Sequence, residues 1–307
     1  MKFSEAINKF SEWKYLKVKF NTIYGYDIHL RHFCIFLRDP DIEQITLDQI
    51  VEFLFWNERM GFKASALQKK SLAIKEFLDF FGKQGYNVIN YQLVPIPRKE
   101  YAMPRVLNDE DFEKLVRAIP QDSDAYYHLR NLAIMNLLHD SGARIGELIS
   151  LNIEDIDCKK MEAIVHTEKD RSDSPFRKIF WYRKETAKSL EKWLLKREEL
   201  LTKTRIEEKE ALFISINGGC CGDGRTGRRM DIEAVGEMLR KYSRLAGLKY
   251  VINAHSFRHR VGHELARKGA NNSLISEILG HQSLESSRIY TRLNGLAGEI
   301  FRKIMVK

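Results

Sequence analysis

The chain has 307 residues, of which 44% are hydrophobic and 30% charged, a composition that builds a packed core and excludes an intrinsically disordered chain. Its 51 lysines and arginines outnumber 42 acidic residues, leaving a net charge of +9, which favours a polyanionic partner, either nucleic acid or an anionic membrane surface. Neither a long apolar run nor the apolar stretch of a signal peptide is present, so no membrane partner and a cytoplasmic location are expected. Cys34, Cys158, Cys220 and Cys221 lack Cys-x-x-Cys spacing, which fits free thiols better than a zinc site.

The first ninety residues read as a small helical bundle. Residues 24–36 carry an approximate helical stripe of Tyr24, Ile28, Leu30, Phe33, Ile35 and Phe36. A second helix opens at Thr46, with Ile50, Val51, Leu54 and Phe55 on one side, and a third spans 65–81, ending before Gly82. Residues 91–105 then form a linker, because Pro95, Pro97 and Pro104 cannot continue a helix. Its Arg98, Lys99 and Arg105 are candidates to follow a phosphate backbone.

Residues 106–307 make a second domain. Asn108 caps a helix that runs to about Ile119, and an apolar helix at 129–138 leads to Arg144. Two β-rich runs, 163–167 and 178–182, flank a polar hairpin loop. Helices at 184–200 and 231–246 are separated by the Leu212–Ile216 run and a glycine-rich loop that lacks the lysine of a phosphate-binding P-loop. Further helices are expected at 254–265, at 273–279 with Gly280 as its stop, and at 294–305. The fold class is therefore mainly α with a small β-sheet.

Chemistry concentrates in four places. Arg144 and Glu147 stand three apart in Ser141-Gly-Ala-Arg144-Ile-Gly-Glu147-Leu148, the spacing of an ion pair on one helix face. His255 and Arg258 recur as His-Ser-Phe-Arg, on the side of their helix away from Phe257, Val261 and Leu265. A metal reading of His255, His259 and His263 fails on the arginine among them, which repels a cation. His281 follows Gly280, and Tyr290 comes nine residues later in Ile-Tyr-Thr. Guanidinium groups clamp phosphodiester oxygens, imidazoles manage protons, and a phenol attacks phosphorus.

The order Arg, His-x-x-Arg, Gly-His, Tyr resembles the tyrosine recombinase (phage-integrase-like) family, and the length is similar to its compact Xer-type members. The resemblance implies a helical core-binding (SAM-like) bundle followed by a mixed α/β catalytic domain, clamped around double-stranded DNA. It implies catalysis without metal, cofactor or ATP: Tyr290 as nucleophile, Arg144 and Arg258 on the phosphate, and His255 and His281 handling protons, with Glu147 orienting Arg144 or a histidine. The family's hairpin lysine falls by position on Lys169, with Lys178 as a rival because the usual flanking glycines are missing. A monomer when free and a homotetramer on two duplexes is the implied assembly, joined by the 294–305 helix. Two other readings remain: a type IB topoisomerase-like nicking-closing enzyme, and a catalytically idle DNA-binding regulator on the same fold.

Overall fold

The computed structural model describes residues 1–18, 20–98, 106–121, 125–166, 176–203, 207–215 and 227–280. The chain divides into two compact units, Met1–Met103 and Pro104–Lys307.

Among its described residues the first unit packs four α-helices, α1 (Phe3–Tyr15), α2 (Phe20–Leu37), α3 (Leu47–Arg59) and α4 (Ala64–Lys83). Thr46 opens α3 with a reciprocal cap: its hydroxyl accepts from the Gln49 N–H while the Gln49 side chain accepts from the Thr46 N–H. The core is aromatic. Phe3, Phe10, Phe33, Phe53, Phe77 and Phe81 are all buried, and Phe33 meets Phe53 at 4.8 Å between ring centres while Phe77 meets Phe81 at 4.8 Å. Edge and tilted contacts of this kind add about 1 kcal/mol each to simple burial. The expected stripe on α2 is observed only in part, at Leu30 and Phe33. Tyr24, Ile28 and Ile35 are exposed, and the buried line is Ile23, Leu30, Phe33 and Cys34. On α3 likewise, Phe55 is exposed.

The second unit is built around α6 (Ala125–Ser141). Ala133, Ile134, Met135, Leu137 and Leu138 are fully buried, so this helix is covered on nearly all sides, as a central helix must be. Against it pack α7 (Ile145–Ser150), α8 (Lys184–Lys203) and α10 (Ala254–Arg267). A three-stranded antiparallel sheet has the order β1 (Ile156–Asp157), β2 (Glu162–His166), β3 (Phe176–Phe180), with Ala163 opposite Ile179 and His166 opposite Phe176. Ala163, Val165 and Ile179 face the core. A second small sheet joins β4 (Ile214–Ser215) to β5 (Arg228–Arg229). The described part of the unit also contains helices α5 (Asp109–Arg117), α9 (Ile232–Leu245) and α11 (Asn272–Leu279). The second β-rich run therefore starts two residues earlier than its sequence pattern indicates, at Phe176. No helix among the described residues is long and apolar enough to cross a membrane.

Two glycines let the elements meet. Gly142 ends α6 at φ +60°, and a Cβ there would lie 3.0 Å from Leu279 Cδ2 and 3.1 Å from Val261 Cβ. Only glycine takes this backbone conformation without strain while admitting α10 and α11 so closely. Gly280 ends α11 in the left-handed region, φ 62° and ψ 52°, the expected stop.

Candidate active site

The site forms where α7, α10, β3 and α11 converge. Arg144 is the residue before α7, with an extended backbone, so it precedes the helix rather than sharing its face with Glu147. The Glu147 carboxylate reaches back to accept the Arg144 N–H at 2.8 Å and the Arg144 guanidinium Nη1 at 2.7 Å. At the other end of α7, Arg229 donates to the Ile149 and Leu151 carbonyls at 2.9 and 2.8 Å. Helix α7 is thereby held at both termini by side chains that satisfy its orphan backbone groups.

Helix α10 opens on Asn253, whose side chain accepts from the Ser256 N–H at 3.0 Å. His255 is exposed in the first turn, whereas Arg258 is buried. The side of α10 away from Phe257 and Val261 is therefore covered at Arg258. It donates to the Gly142 carbonyl at 3.0 Å and to the Leu279 carbonyl. His259 lies one turn on, its ring centre 6.4 Å from that of His255. Burial, then the neighbouring His255 and Arg258, push its pKa below the usual histidine value.

The sequence reading missed Arg177. It lies on β3 and grips Glu147 with two donors, Nε at 3.1 Å and Nη2 at 2.5 Å, while Nη1 donates to the Ile278 carbonyl at 2.8 Å. Arg144 Nη2 donates to the Gly280 carbonyl. Three arginines from three elements therefore cap the last carbonyls of α11, at Ile278, Leu279 and Gly280. A helix C-terminus is the negative end of the backbone dipole and leaves its carbonyls unpaired. Guanidinium donors converging there are also placed to receive phosphate oxygens. Burial raises the Glu147 pKa, but the Arg177 and Arg144 contacts outweigh it and hold the carboxyl below its usual range.

Of the remaining expected residues, Lys169, His281, Tyr290, Lys99 and Arg105 lie outside the described residues, as does the 294–305 segment. Arg98 is exposed in the first unit. Lys178 sits on the face of β3 opposite Arg177, because side chains alternate along a strand, and pairs with Glu162 at 2.8 Å.

Behind the Arg144 turn, Asp140 accepts from Arg183 Nε at 2.6 Å, from Thr186 Oγ1 at 2.6 Å and from His139 Nδ1 at 2.9 Å. Burial opposes ionisation of Asp140, yet these donors lower its pKa. Burial also lowers the His139 pKa, with Asp140 opposing and Arg260 and Arg183 adding to the effect. A histidine whose folded pKa lies below its unfolded value near 6.5 stabilises the fold above that value. Stability is therefore expected to fall as pH drops from about 6.5 through the folded pKa values of His139 and His259. A second loss follows below about pH 4 as Asp140 and Glu147 protonate. Urea midpoints flat from pH 7 down to 5 would contradict the histidine contribution.

The comparisons with known proteins bear on the same arrangement. Residues 13–85 match the N-terminal SAM-like domain of phage integrase. Residues 105–295, more than half of the chain, match the phage integrase family. The chain belongs to the phage integrase family. Among relatives of this integrase-family chain, the tyrosine recombinase XerC of Thermodesulfovibrio yellowstonii is 28% identical over 278 residues, covering 89% of this chain and 86% of the relative. The XerH site-specific recombinase, solved with palindromic difH substrate as a post-cleavage complex, gives a TM-score of 0.72 at 22% identity, covering 93% of this chain and 80% of that one. A lambda integrase tetramer bound to a Holliday junction gives a TM-score of 0.66 at 18% identity, over 94% and 77%. The expected two-part fold, a SAM-like helical domain and a mainly helical catalytic domain with small antiparallel sheets, is the observed one.

Proposed function

We propose that the chain is a site-specific tyrosine recombinase acting on double-stranded DNA, as an Xer-like resolvase or the integrase of a mobile element. The observation that carries this reading is the convergence of Arg144 and Arg258, 114 residues apart in sequence, on consecutive carbonyls immediately before His281. The segment that follows brings Tyr290 nine residues later.

In the reaction, the Tyr290 oxygen attacks the scissile phosphorus, its proton passing to an imidazole, with His255 and His281 as the candidates. Arg144 and Arg258 stabilise the charge that develops on the non-bridging oxygens. The 5′ oxygen leaves with a proton from Lys169, giving a 3′-phosphotyrosyl bond and a free 5′-hydroxyl. The partner strand's 5′-hydroxyl reverses the step, so that two rounds of exchange build and resolve a Holliday junction. No ATP is needed, because the phosphotyrosyl bond conserves the energy of the broken phosphodiester.

Residues 1–90 serve as the core-binding domain, 91–105 as a strap whose Arg98, Lys99 and Arg105 follow the phosphate backbone, and 106–307 as the catalytic domain. Four protomers assemble on two duplexes, linked through the 294–305 helix, and the protein works in the cytoplasm. Affinity rests largely on phosphate contacts and falls steeply with salt.

A supercoiled plasmid carrying two copies of the bound site distinguishes recombination from simple relaxation. Deletion or inversion products are expected. Relaxation without rearranged products would instead favour the type IB topoisomerase-like reading.

The lysine is assigned by a different substrate. Lys169→Ala is expected to lose cleavage and to regain it on DNA whose bridging 5′ oxygen is sulfur, since a thiolate leaves without a proton. Rescue of Lys178→Ala in place of Lys169→Ala would move the role to Lys178, against its pairing with Glu162 on the other face of β3.

A further inference from the structure

Arg177 shares Glu147 with Arg144 and, like it, reaches a carbonyl at the end of α11. Glu147 is 4% exposed and Arg177 10%, while Arg144 retains 25%. Each Glu147 oxygen serves both arginines: Oε1 takes Arg144 Nη1 and Arg177 Nε, and Oε2 takes the Arg144 N–H and Arg177 Nη2. A carboxylate paired with one guanidinium leaves that pair with no net charge (1 − 1). With a second guanidinium the same cluster carries +1 (2 − 1), and Arg144, the more exposed of the two, is the one able to present it.

We propose that Arg177 is a positioning residue of the strand-transfer reaction, neutralising Glu147 so that Arg144 keeps a positive charge for the scissile phosphate. Its third contact, to the Ile278 carbonyl, ties β3 to the end of α11. Its side chain also fills the space beneath Gly280, where a Cβ would lie 2.7 Å from Arg177 Cδ and Nε. The glycine before His281 is therefore required by Arg177 as well as by its own backbone conformation. Arg177 thus fixes both the charge of one phosphate-binding arginine and the point from which the His281 segment departs. Lys178 cannot replace it, since it belongs to the opposite face of β3.

The inference rests on the recombinase reading, and one experiment separates the two. The probe is a nicked suicide duplex built on the sequence that the wild-type protein selects from a random duplex library. Covalent adduct formation is measured at saturating DNA, alongside Kd, for wild type, R177Q, R177K and the double variant E147Q/R177Q. R177Q is expected to slow adduct formation on the order of a hundredfold with Kd changed less than about threefold. Removing the carboxylate as well, in E147Q/R177Q, is expected to recover about tenfold or more, because nothing then neutralises Arg144. R177K, which keeps the charge, is expected to remain within about tenfold of wild type. A purely architectural role gives the reverse order, with the double variant no faster than R177Q, and that result overturns the proposal. So does R177Q cleaving at the wild-type rate. Should R177Q not fold, a folded R177K that is a hundredfold slow overturns it equally. Absence of any adduct from the wild type sinks the recombinase reading and this inference together.

Discussion

Replacing Tyr290 by phenylalanine is expected to abolish the covalent protein–DNA complex on a suicide substrate while leaving DNA affinity nearly unchanged. On the proposed mechanism, the change deletes the one oxygen that forms the bond to phosphorus, so no residual pathway through that residue remains. On the proposed reading affinity persists, because it rests largely on lysine and arginine contacts to phosphates rather than on the tyrosine. A phenol needs help to serve as a nucleophile. Its reference pKa is near 10, so attack at neutral pH requires cations that stabilise the phenolate. Arg144, Arg177 and Arg258 against Glu147 give the described part of the site a net charge of +2 (3 − 1). The readout is the shifted adduct band on a denaturing gel. An adduct from Tyr290→Phe would transfer the nucleophile to another residue.

Arg144→Ala and Arg258→Ala are each expected to slow cleavage by about a hundredfold to a thousandfold, roughly 3–4 kcal/mol of transition-state stabilisation. Their effects on stability should differ. Arg258 is buried and holds the Gly142 and Leu279 carbonyls, so its loss leaves buried acceptors unpaired and costs about 1–3 kcal/mol of folding free energy. Arg144 is partly exposed, and its truncation leaves Glu147 still held by Arg177, so its urea midpoint should move little. Single-turnover cleavage at saturating DNA, measured beside urea unfolding, separates the two effects. A variant that cleaves within about threefold of wild type would remove that residue from the phosphate site.

The parts of this site that the sequence made legible are those built from residues close together in the chain. Arg144 with Glu147 and the Gly280 stop before His281 are each spaced within one helical turn or one cap, and local spacing reports them. Arg177 was not legible in that way. Its partners Glu147 and Ile278 lie 30 and 101 residues away, and one of them is a backbone carbonyl with no sequence signature. A weaker signal existed: Arg177, Ile179 and Trp181 share one period-two phase, which puts an arginine on the inward face of a strand. The burial of Arg258 was hidden for a related reason, since a helical pattern cannot show that the α11 terminus covers the polar side of α10. In the first unit, α2 carries apolar residues around most of its circumference, so periodicity located the helix but not the face that α1, α3 and α4 cover.

The pairing of β2 with β3 sets different tolerances for length change on the two sides of Phe176. Residues 167–175 lie between the paired His166 and Phe176, so adding or removing residues there leaves the ladder in place and alters only the reach of the segment that carries Lys169. One residue inserted between Arg177 and Ile179 has another outcome. Because strand side chains alternate with a period of two, an insertion between Arg177 and the buried Ile179 would carry Arg177 to the outer surface and leave Glu147 facing whichever side chain took its place. Natural variation in such proteins should therefore accumulate as indels up to the start of β3 and stop there, a boundary set by strand pairing rather than by the reacting groups.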